Sequence, residues 1–232
     1  LKKFKGIKYV LGEHRLEDFR NADLILKIAS VPLDSVYIRE AKKHNIPVEM
    51  SASFFAKLAN IPIIGVTGTR GKSTVTHLIA HILESAGKKI ILGGNIRGVS
   101  NLQLLKKVKN AELAVLELDS WQLQGFGESK ISPHISVFTN FMQDHFNYYK
   151  NNPEQYFIDK SYIYEFQKSG DVLILGGAMK EKIKNVKSKV VKANMKNIPK
   201  AWKIPLHGKH NLENIACALE VARFLKIKEE IV

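Results

Sequence analysis

Short runs of apolar residues alternate along this chain with segments in which apolar residues recur at helical spacing. The runs lie at 23–30, 46–50, 61–67, 112–118, 134–140 and 171–177. Runs of this length that are apolar almost throughout are typical of strands buried in a parallel sheet. Because the intervening segments are helical in pattern, the alternation predicts an α/β fold with a doubly wound, mostly parallel sheet.

Several helix boundaries are marked by residues that favour helix ends. One helix is predicted at 35–45 and another at 210–227. After the run at 61–67, apolar residues recur every three or four positions, and Gly87 is placed to end that helix. Asn152 as N-cap and Pro153 at the first helical position predict a further helix that closes at Gly170.

The first part of the chain holds too few elements for an independent nucleotide-binding domain. Residues 1–58 carry only two predicted strands and one helix. We therefore expect them to be the end of one domain, and residues 59–232 to form a second domain around the remaining strands.

Composition limits the classes of protein that this chain can represent. It has 232 residues, 45% of them hydrophobic, and no apolar run of about 18 residues that would span a membrane. No secretory signal is visible, and Cys217 stands among small and apolar residues as a packed core thiol, so we expect a cytoplasmic protein. The net charge of +14 is compatible with a nucleic-acid partner, but the lysines are widely dispersed and no RNA-binding motif or zinc spacing is present. Solvated surface lysines, a lysine-rich proteome or small anionic substrates explain the charge equally well.

A glycine-rich turn, GTRGKS, follows the run at 61–67 and precedes an amphipathic helix. Strand, tight turn and helix is the context that a phosphate-binding loop requires. Backbone N–H groups from Gly68 to Ser73 would face phosphate oxygens, helped by the helix N-terminus. Lys72 would reach the β- and γ-phosphates, and the Ser73 hydroxyl would bind Mg²⁺. The alternative is a plain turn with an N-cap serine.

The segment GVTGTRGKSTV resembles the T-G-T-x-G-K-[ST]-[ST] loop of the Mur ligases and folylpolyglutamate synthases. In that superfamily the opening glycine stands where Gly68 does, so Val66 does not break the loop. Arg70 stands where asparagine is usual and adds a positive charge beside the phosphates. The resemblance implies that ATP is bound by Gly68, Thr69, Arg70, Gly71, Lys72, Ser73 and Thr74.

Two further segments resemble motifs that contact substrate and metal in the same family. LGGNIRGVS, at 92–100, implies that Asn95 contacts the substrate. AVLELDSWQL, at 114–123, implies that Glu117 binds Mg²⁺ and that Ser120 contacts the substrate. Asp119 replaces the first serine of that motif, which puts an extra carboxylate near the metal. Taken alone, these residues would be a simple turn and an exposed glutamate at a strand end.

A fourth segment, at 139–164, resembles T-N-x-x-x-D-H-x-D followed by a lysine. Asp144 and His145 match, and the lysine is Lys160. In the family this lysine carries a carbamate, because an uncharged amine reacts with CO₂ to give an anionic oxygen donor. The resemblance implies two Mg²⁺ ions bound by Ser73, Glu117, His145 and carbamylated Lys160, with Lys72, His145 and Lys160 catalytic. Without the motif, Lys160 would be a surface lysine on an amphipathic helix.

The segment HGKHNLENIACAL, at 207–219, resembles G-x-H-N-x-x-N-x-x-A-A. The resemblance implies that Asn211 and Asn214 lie near the nucleotide base, and their spacing puts both amides on one helix face. Asn211 is also a candidate N-cap, and the two roles are compatible.

Together these motifs resemble most the branch of the Mur ligases that adds D-glutamate to UDP-N-acetylmuramoyl-L-alanine. Residues 1–58 would then be the end of a Rossmann-like domain for the UDP-substrate, and 59–232 the central ATPase domain. The implied reaction is ATP-driven amide formation through an acyl phosphate, in the synthesis of peptidoglycan precursors. We expect a monomer without nucleic-acid or membrane partners, and weak turnover by this chain alone, because nothing in it matches the family's third domain.

Two other interpretations remain open. One is another Mur ligase or a folylpolyglutamate synthase, although the GGNI and LELDSWQL segments speak against it. The other is a non-catalytic nucleotide-binding or nucleic-acid-binding module that kept the loop. Glu117, His145 and Lys160 argue against that second interpretation.

Overall fold

The structure, a computed structural model, describes residues 6–144, 147–177, 179, 183 and 186–232. The chain divides into two compact units, Leu1–Ser51 and Ala52–Val232. The assignment of 1–58 and 59–232 to a substrate domain and an ATPase domain stays a prediction.

The first unit contains a two-stranded parallel sheet and two helices. In chain order they are α1 (Leu16–Arg20), β1 (Ile25–Lys27), α2 (Val36–Lys43) and β2 (Val48–Met50). The hydroxyl of Ser35 accepts the N–H of Ile38 at 3.3 Å and caps α2. The two strands and the helix predicted in this part of the chain are therefore confirmed, in shorter form.

The second unit is built on a six-stranded sheet in which every strand pair is parallel. The strand order is β4-β5-β3-β6-β7-β8. The strands are β3 (Ile63–Thr67), β4 (Ile90–Gly94), β5 (Leu113–Glu117), β6 (Ile135–Phe138), β7 (Val172–Leu175) and β8 (Lys189–Lys192). The helices are α3 (Ser51–Ala59), which begins at the unit boundary, α4 (Lys72–Ser85), α5 (Asn101–Leu104), α6 (Ser120–Ser129), α7 (Pro153–Ser161) and α8 (Lys209–Phe224). Short 3₁₀ helices cover Leu105–Asn110, Met195–Asn197 and Glu229–Ile231.

Helices cover both faces of this sheet, because alternate residues of each buried strand face opposite sides. On one face, Ile64 and Val66 of β3 pack in the cluster that contains the apolar residues of α4 and α8. On the other face, Ile63 of β3 packs with residues of α3 and α6. The doubly wound α/β fold is thus confirmed. Cys217 belongs to the first cluster and is buried, as predicted, and burial raises the pKa of its thiol to about 12.

The register of the central strands brings their carboxyl ends to one edge. Val66 of β3 lies opposite Glu117 of β5 on one side and Val137 of β6 on the other. The loop after β3, the end of β5 and the loop after β6 therefore meet at that edge. In open α/β sheets this is the edge at which ligands bind.

The helix predicted to close at Gly170 is shorter than expected. Asn152 caps α7 by accepting the N–H of Gln155 at 3.0 Å, but the helix ends at Ser161 and not at Gly170. The carbonyl of Tyr162 instead accepts the hydroxyl of Ser132 at 2.7 Å, and that of Ile163 accepts Ser136. Because side chains from the segment around β6 take these carbonyls, the backbone continues as turns.

No helix in the described part of the chain is both long and apolar enough to cross a bilayer.

Gly176, just after β7, packs against the backbone at the end of β6. A Cβ there would lie 1.8 Å from the Thr139 carbonyl oxygen, whereas a Cβ on Gly177 would meet nothing within 4 Å. We therefore expect Gly176→Ala to lower the free energy of unfolding by about 2–3 kcal/mol through overpacking. Gly177→Ala is the matched control and should change it by less than about 0.5 kcal/mol. Urea unfolding of both variants makes the comparison, and equal effects would contradict this packing.

Candidate functional site

The loop of residues 68–73 connects β3 to α4 and has the backbone of a tight turn. Gly68 and Gly71 have φ values of +145° and +82°, in the region that favours glycine. Gly71 is the N-cap of α4, and the helix begins at Lys72. The alternative in which Ser73 is an N-cap serine is therefore wrong, since Ser73 lies inside the first helical turn.

Two residues that follow β6 fix the backbone of the 68–73 loop. Asn140 accepts the N–H of Arg70 through Oδ1 at 2.9 Å, and its amide donates to the Arg70 carbonyl at 3.0 Å. The Thr139 hydroxyl donates to the same carbonyl at 2.6 Å. The Thr69 N–H also donates to the Asn140 carbonyl at 3.0 Å. The loop conformation is therefore set by the neighbouring strand as well as by its own glycines.

Two lysine side chains converge on one carbonyl of this loop. Lys160 Nζ donates to the Gly68 carbonyl at 2.9 Å. Lys72 Nζ donates to the same oxygen at 3.1 Å and to the Thr69 carbonyl at 3.2 Å. The two lysines lie far apart in the sequence, and the packing of α7 against the 68–73 loop brings Lys160 to the Gly68 carbonyl.

Lys160 is buried, with 1% of its surface exposed, so the alternative of a surface lysine is wrong. The pKa of its amine is lowered from 10.5 to about 7. Burial is the main cause, and the nearby charge of Lys72 is the second. The Tyr156 ring lies 4.8 Å from Nζ, and the Tyr156 hydroxyl lies 3.4 Å from Thr69 Oγ1. Near neutral pH the amine is thus divided between its charged and uncharged forms.

Glu117 ends β5 at the same edge and is buried. Its carbonyl accepts the N–H of Asn95 at 2.7 Å, so Asn95 lies beside it with an exposed side chain. Gly94 makes this approach possible, because a Cβ there would lie 1.9 Å from the Glu117 carbonyl oxygen. Buried Asn101 fixes Gly94 by accepting its N–H at 2.7 Å.

Asp119 and Ser120 lie at the start of α6. Asp119 Oδ1 accepts the Gln122 N–H at 2.7 Å, and Gln122 reciprocates, so Asp119 forms a capping box. Ser120 is buried beside Tyr149. The structure thus gives Asp119, the departure from the motif, a helix-capping role.

Asp159, next to Lys160, is a buried carboxylate that no sequence motif predicted. It accepts hydrogen bonds from Gln124 at 2.7 Å, Gln155 at 2.8 Å and Tyr149 at 3.0 Å. Burial raises the pKa of Asp159, and burial also raises the pKa of Tyr149. This network joins α6 to α7 and thereby connects the position of Ser120 with that of Lys160.

The two predicted base-contacting residues lie in the first half of α8. Asn214 is buried, and its Oδ1 would lie 2.3 Å from a Cβ placed on Gly71, so α8 packs directly against the 68–73 loop. Asn211 is half-buried and donates to the His207 carbonyl at 2.8 Å. Because Gly208 is the N-cap of α8, the N-cap role considered for Asn211 is wrong.

The remaining predicted residues are distributed around the loop. Ser73 is exposed in the first turn of α4, and Thr74 is half-buried. The Arg70 side chain is exposed, and one of its nitrogens lies 3.8 Å from a carboxylate oxygen of Asp144. His145 lies outside the described residues.

The predicted metal ligands supply the donor chemistry of Mg²⁺ only in part. Ser73 and Glu117 offer oxygen donors, which suit this ion. Lys160 as an amine offers none, and its N–H groups point to a carbonyl, so it would fit only as a carbamate. Across residues 6–144, 147–177, 179, 183 and 186–232, no group of three or more His, Cys, Asp or Glu side chains is arranged to hold a metal.

Thr139, Asn140, Tyr156 and Asp159 complete the site although none was among the predicted residues. The threonine and asparagine stand in the T-N pair of the fourth motif, which was a usable signal. Tyr156 and Asp159 carried no such signal, because only the packing of α7 shows that they face the loop and α6.

Residues 66–199 match the family model described as the Mur ligase middle domain. The chain belongs to the Mur ligase family. The match extends from the end of β3 to the segment after β8 and includes the whole 68–73 loop. The 68–73 loop, Glu117 and Lys160 are thus positions of a Mur ligase middle domain.

Two curated relatives of this Mur ligase chain are longer than the part that matches it. The UDP-N-acetylmuramoylalanine–D-glutamate ligase of Borreliella burgdorferi (strain ZS7) is 41% identical over 184 residues, which are 79% of this chain and 39% of that protein. The enzyme of the same name from Streptococcus agalactiae serotype Ia is 30% identical over 251 residues, covering 98% and 54%. The chain therefore spans about two-fifths to half the length of these relatives.

Solved structures of Mur ligases share the fold. The UDP-N-acetylmuramate:L-alanyl-gamma-D-glutamyl-meso-diaminopimelate ligase from Neisseria meningitides aligns with a TM-score of 0.61 at 17% identity, covering 90% of this chain and 76% of that one. The MurF ligase from Thermotoga maritima in complex with ADP gives 0.58 at 14% identity, covering 90% and 62%. At these identities the likeness concerns the fold alone.

The depressed pKa of Lys160 makes a prediction about stability and pH. Below pH 7 the amine is charged in both the folded and unfolded states, and the folded state bears the full cost of burying the charge. Between pH 7 and 10.5 only the unfolded state binds the proton, so the unfolding free energy rises with pH. The total rise is at most about 5 kcal/mol, from 1.36 kcal/mol per pH unit.

Lys160→Met removes this titration. We expect it to stabilise the fold at pH 6 and to lose that advantage by pH 10, in urea unfolding curves measured in CO₂-free buffer. Lys107→Met, at an exposed lysine, is the control and should leave the slope unchanged. Parallel pH profiles for wild type and Lys160→Met would contradict the burial of a titrating amine.

Proposed function

We propose that the protein containing this chain joins D-glutamate to UDP-N-acetylmuramoyl-L-alanine at the expense of ATP, a step in peptidoglycan precursor synthesis. Family membership supports an ATP-dependent ligase, and the names of the relatives at 41% and 30% identity support this pair of substrates. The observation that carries the proposal is the placement of Lys160 under the 68–73 loop, with its amine 2.9 Å from the Gly68 carbonyl.

The 68–73 loop would bind the phosphates of ATP. Gly71 lies at the N-terminus of α4, where backbone N–H groups and the helix dipole favour anions. Lys72 now donates to two loop carbonyls, and it would exchange them for phosphate oxygens. Its charge would then stabilise the phosphoryl group during transfer.

Lys160 would take up CO₂ as its uncharged amine. A nitrogen–carbon bond forms, one proton leaves the nitrogen, and the product is an anionic carbamate. The carbamate nitrogen keeps one N–H, so the hydrogen bond to the Gly68 carbonyl can persist. A pKa of about 7 leaves a large share of the amine uncharged at neutral pH, which this reaction needs.

Ser73, Glu117, His145 and the carbamate oxygens of Lys160 would hold Mg²⁺. When bound, the ion supplies positive charge that neutralises the phosphates and the transferring group. Glu117 is suited to this role because its carboxylate is buried at the carboxyl edge of the sheet, where an unneutralised charge is costly.

Asn95 and Ser120 would position the muramoyl substrate near this edge. The substrate carboxylate oxygen attacks the γ-phosphorus, the bond to the β-phosphate oxygen breaks, and ADP leaves. The amine of D-glutamate then attacks the carbonyl carbon of the acyl phosphate. An amide bond forms, the amine loses a proton, and phosphate leaves.

The test is phosphate release by the full-length protein with a panel of acceptor substrates. We expect release with UDP-N-acetylmuramoyl-L-alanine and D-glutamate together, and none when either is omitted. Turnover with a different UDP-muramoyl precursor or with dihydropteroate, and none with this pair, would contradict the substrate assignment.

Variants test the two lysines in the same assay. Lys72→Ala and Lys160→Ala should each lower kcat at least about 10²-fold, a typical cost for a group that stabilises transferring charge. Lys107→Ala, an exposed lysine away from the 68–73 loop, should keep the wild-type rate. An unchanged rate for Lys160→Ala in CO₂-equilibrated buffer would refute the carbamate role.

A further inference from the structure

Arg70 combines a fixed backbone with a largely exposed side chain. Its carbonyl accepts hydrogen bonds from Thr139 at 2.6 Å and from Asn140 at 3.0 Å, and its N–H donates to Asn140 at 2.9 Å. Its side chain nevertheless remains 74% exposed. The guanidinium is therefore attached at a fixed point of the 68–73 loop and can change its partner without disturbing the loop.

In this structure the partner of the guanidinium is Asp144. The closest nitrogen–oxygen distance of the pair is 3.8 Å, and both side chains are partly exposed, so the attraction is weak. A long and solvated ion pair is easily replaced by a stronger one. A phosphate group is a stronger partner, because the planar guanidinium can bind two of its oxygens at once.

Arg70 lies close to the two lysines of the site. Lys72 and Lys160 both donate to the carbonyl of Gly68, at 3.1 and 2.9 Å, and Gly68 is two residues before Arg70 in the same loop. Lys72 is the lysine assigned to the β- and γ-phosphates. A nucleotide whose γ-phosphate meets Lys72 would therefore bring that phosphate within the range of the long Arg70 side chain.

We propose that Arg70 discriminates between nucleoside triphosphates and diphosphates by exchanging the Asp144 carboxylate for the γ-phosphate. A diphosphate lacks the group that Arg70 would bind and leaves the pair with Asp144 intact. Asp144 therefore competes with the γ-phosphate, and its removal strengthens triphosphate binding. This inference rests on the nucleotide binding of the proposed function, and it deepens that function by assigning the ligand preference to one residue pair.

Arg70→Asn is a clean test, because the hydrogen bonds that fix the loop use only the backbone of this residue. The dissociation constants of ADP and of a non-hydrolysable ATP analogue, both with Mg²⁺, are measured by calorimetry on the full-length protein. We expect Arg70→Asn to weaken analogue binding about tenfold and ADP binding less than about twofold, the difference being one charge-assisted contact. Arg70→Lys should lie between, since it keeps the charge but not the fork.

Asp144→Asn tests whether the γ-phosphate replaces Asp144 as the partner of Arg70 or is only attracted by the charge of Arg70. We expect it to tighten binding of the ATP analogue about threefold, because the analogue no longer has to break an exposed ion pair, and such pairs are weak. Binding of ADP should be unchanged. In the Arg70→Asn background the same change should have no effect, which a double-mutant cycle measures.

Two outcomes would overturn this inference while leaving the proposed function intact. One is equal weakening of both nucleotides by Arg70→Asn, and the other is an Asp144→Asn effect that is the same with and without Arg70. Lys72→Ala, which should weaken both nucleotides, confirms that binding occurs at the 68–73 loop. A wild-type protein that binds neither nucleotide would contradict the proposed function as well.

Discussion

The site depends on one carbonyl oxygen, that of Gly68, which accepts hydrogen bonds from both Lys72 and Lys160. Two charged ammonium groups at one acceptor repel each other, and Lys160 is the buried member of the pair. Its charged form is therefore the one that the fold disfavours. Lys72 is half-buried in the first turn of α4, so the two lysines that share this carbonyl lie in different environments.

The sheet makes this arrangement possible by aligning three strand ends. Because β3 pairs with β5 and β6, the 68–73 loop is flanked by Glu117 on one side and by Thr139 and Asn140 on the other. Close backbone approaches at Gly94 and Gly176 keep the neighbouring strands at this edge in contact. The network around Asp159 then holds α7 against α6, which sets the depth of Lys160. The packing of the sheet and its helices therefore also determines the geometry of the site.

The sequence predicted most strands and the loop, because apolar runs and glycine spacing are local signals. Two strands were not predicted. In β4, Gly93 and Gly94 indicated a turn, and in β8 the lysines at both ends interrupt the apolar run that would indicate a buried strand. The predicted end of α7 was wrong because Ser132 and Ser136, distant in sequence, donate to carbonyls of the two residues that follow Ser161. Lys160 was found through a motif, whereas Asp159 and Tyr156 depend on helix packing that no local pattern encodes. His145 lies outside the described residues, and its role stays a prediction.

Our central proposal is that burial leaves a large share of the Lys160 amine uncharged at neutral pH, so that it can react with CO₂. Carbon-13 NMR of the full-length protein in buffer with ¹³C-bicarbonate tests it directly, since a carbamate carbon gives its own resonance apart from bicarbonate and CO₂. We predict one protein-bound carbamate signal at pH 8 that persists in Lys107→Met and is absent in Lys160→Met. A carbamate signal of equal intensity in Lys160→Met, or no such signal in the wild type, would contradict the account.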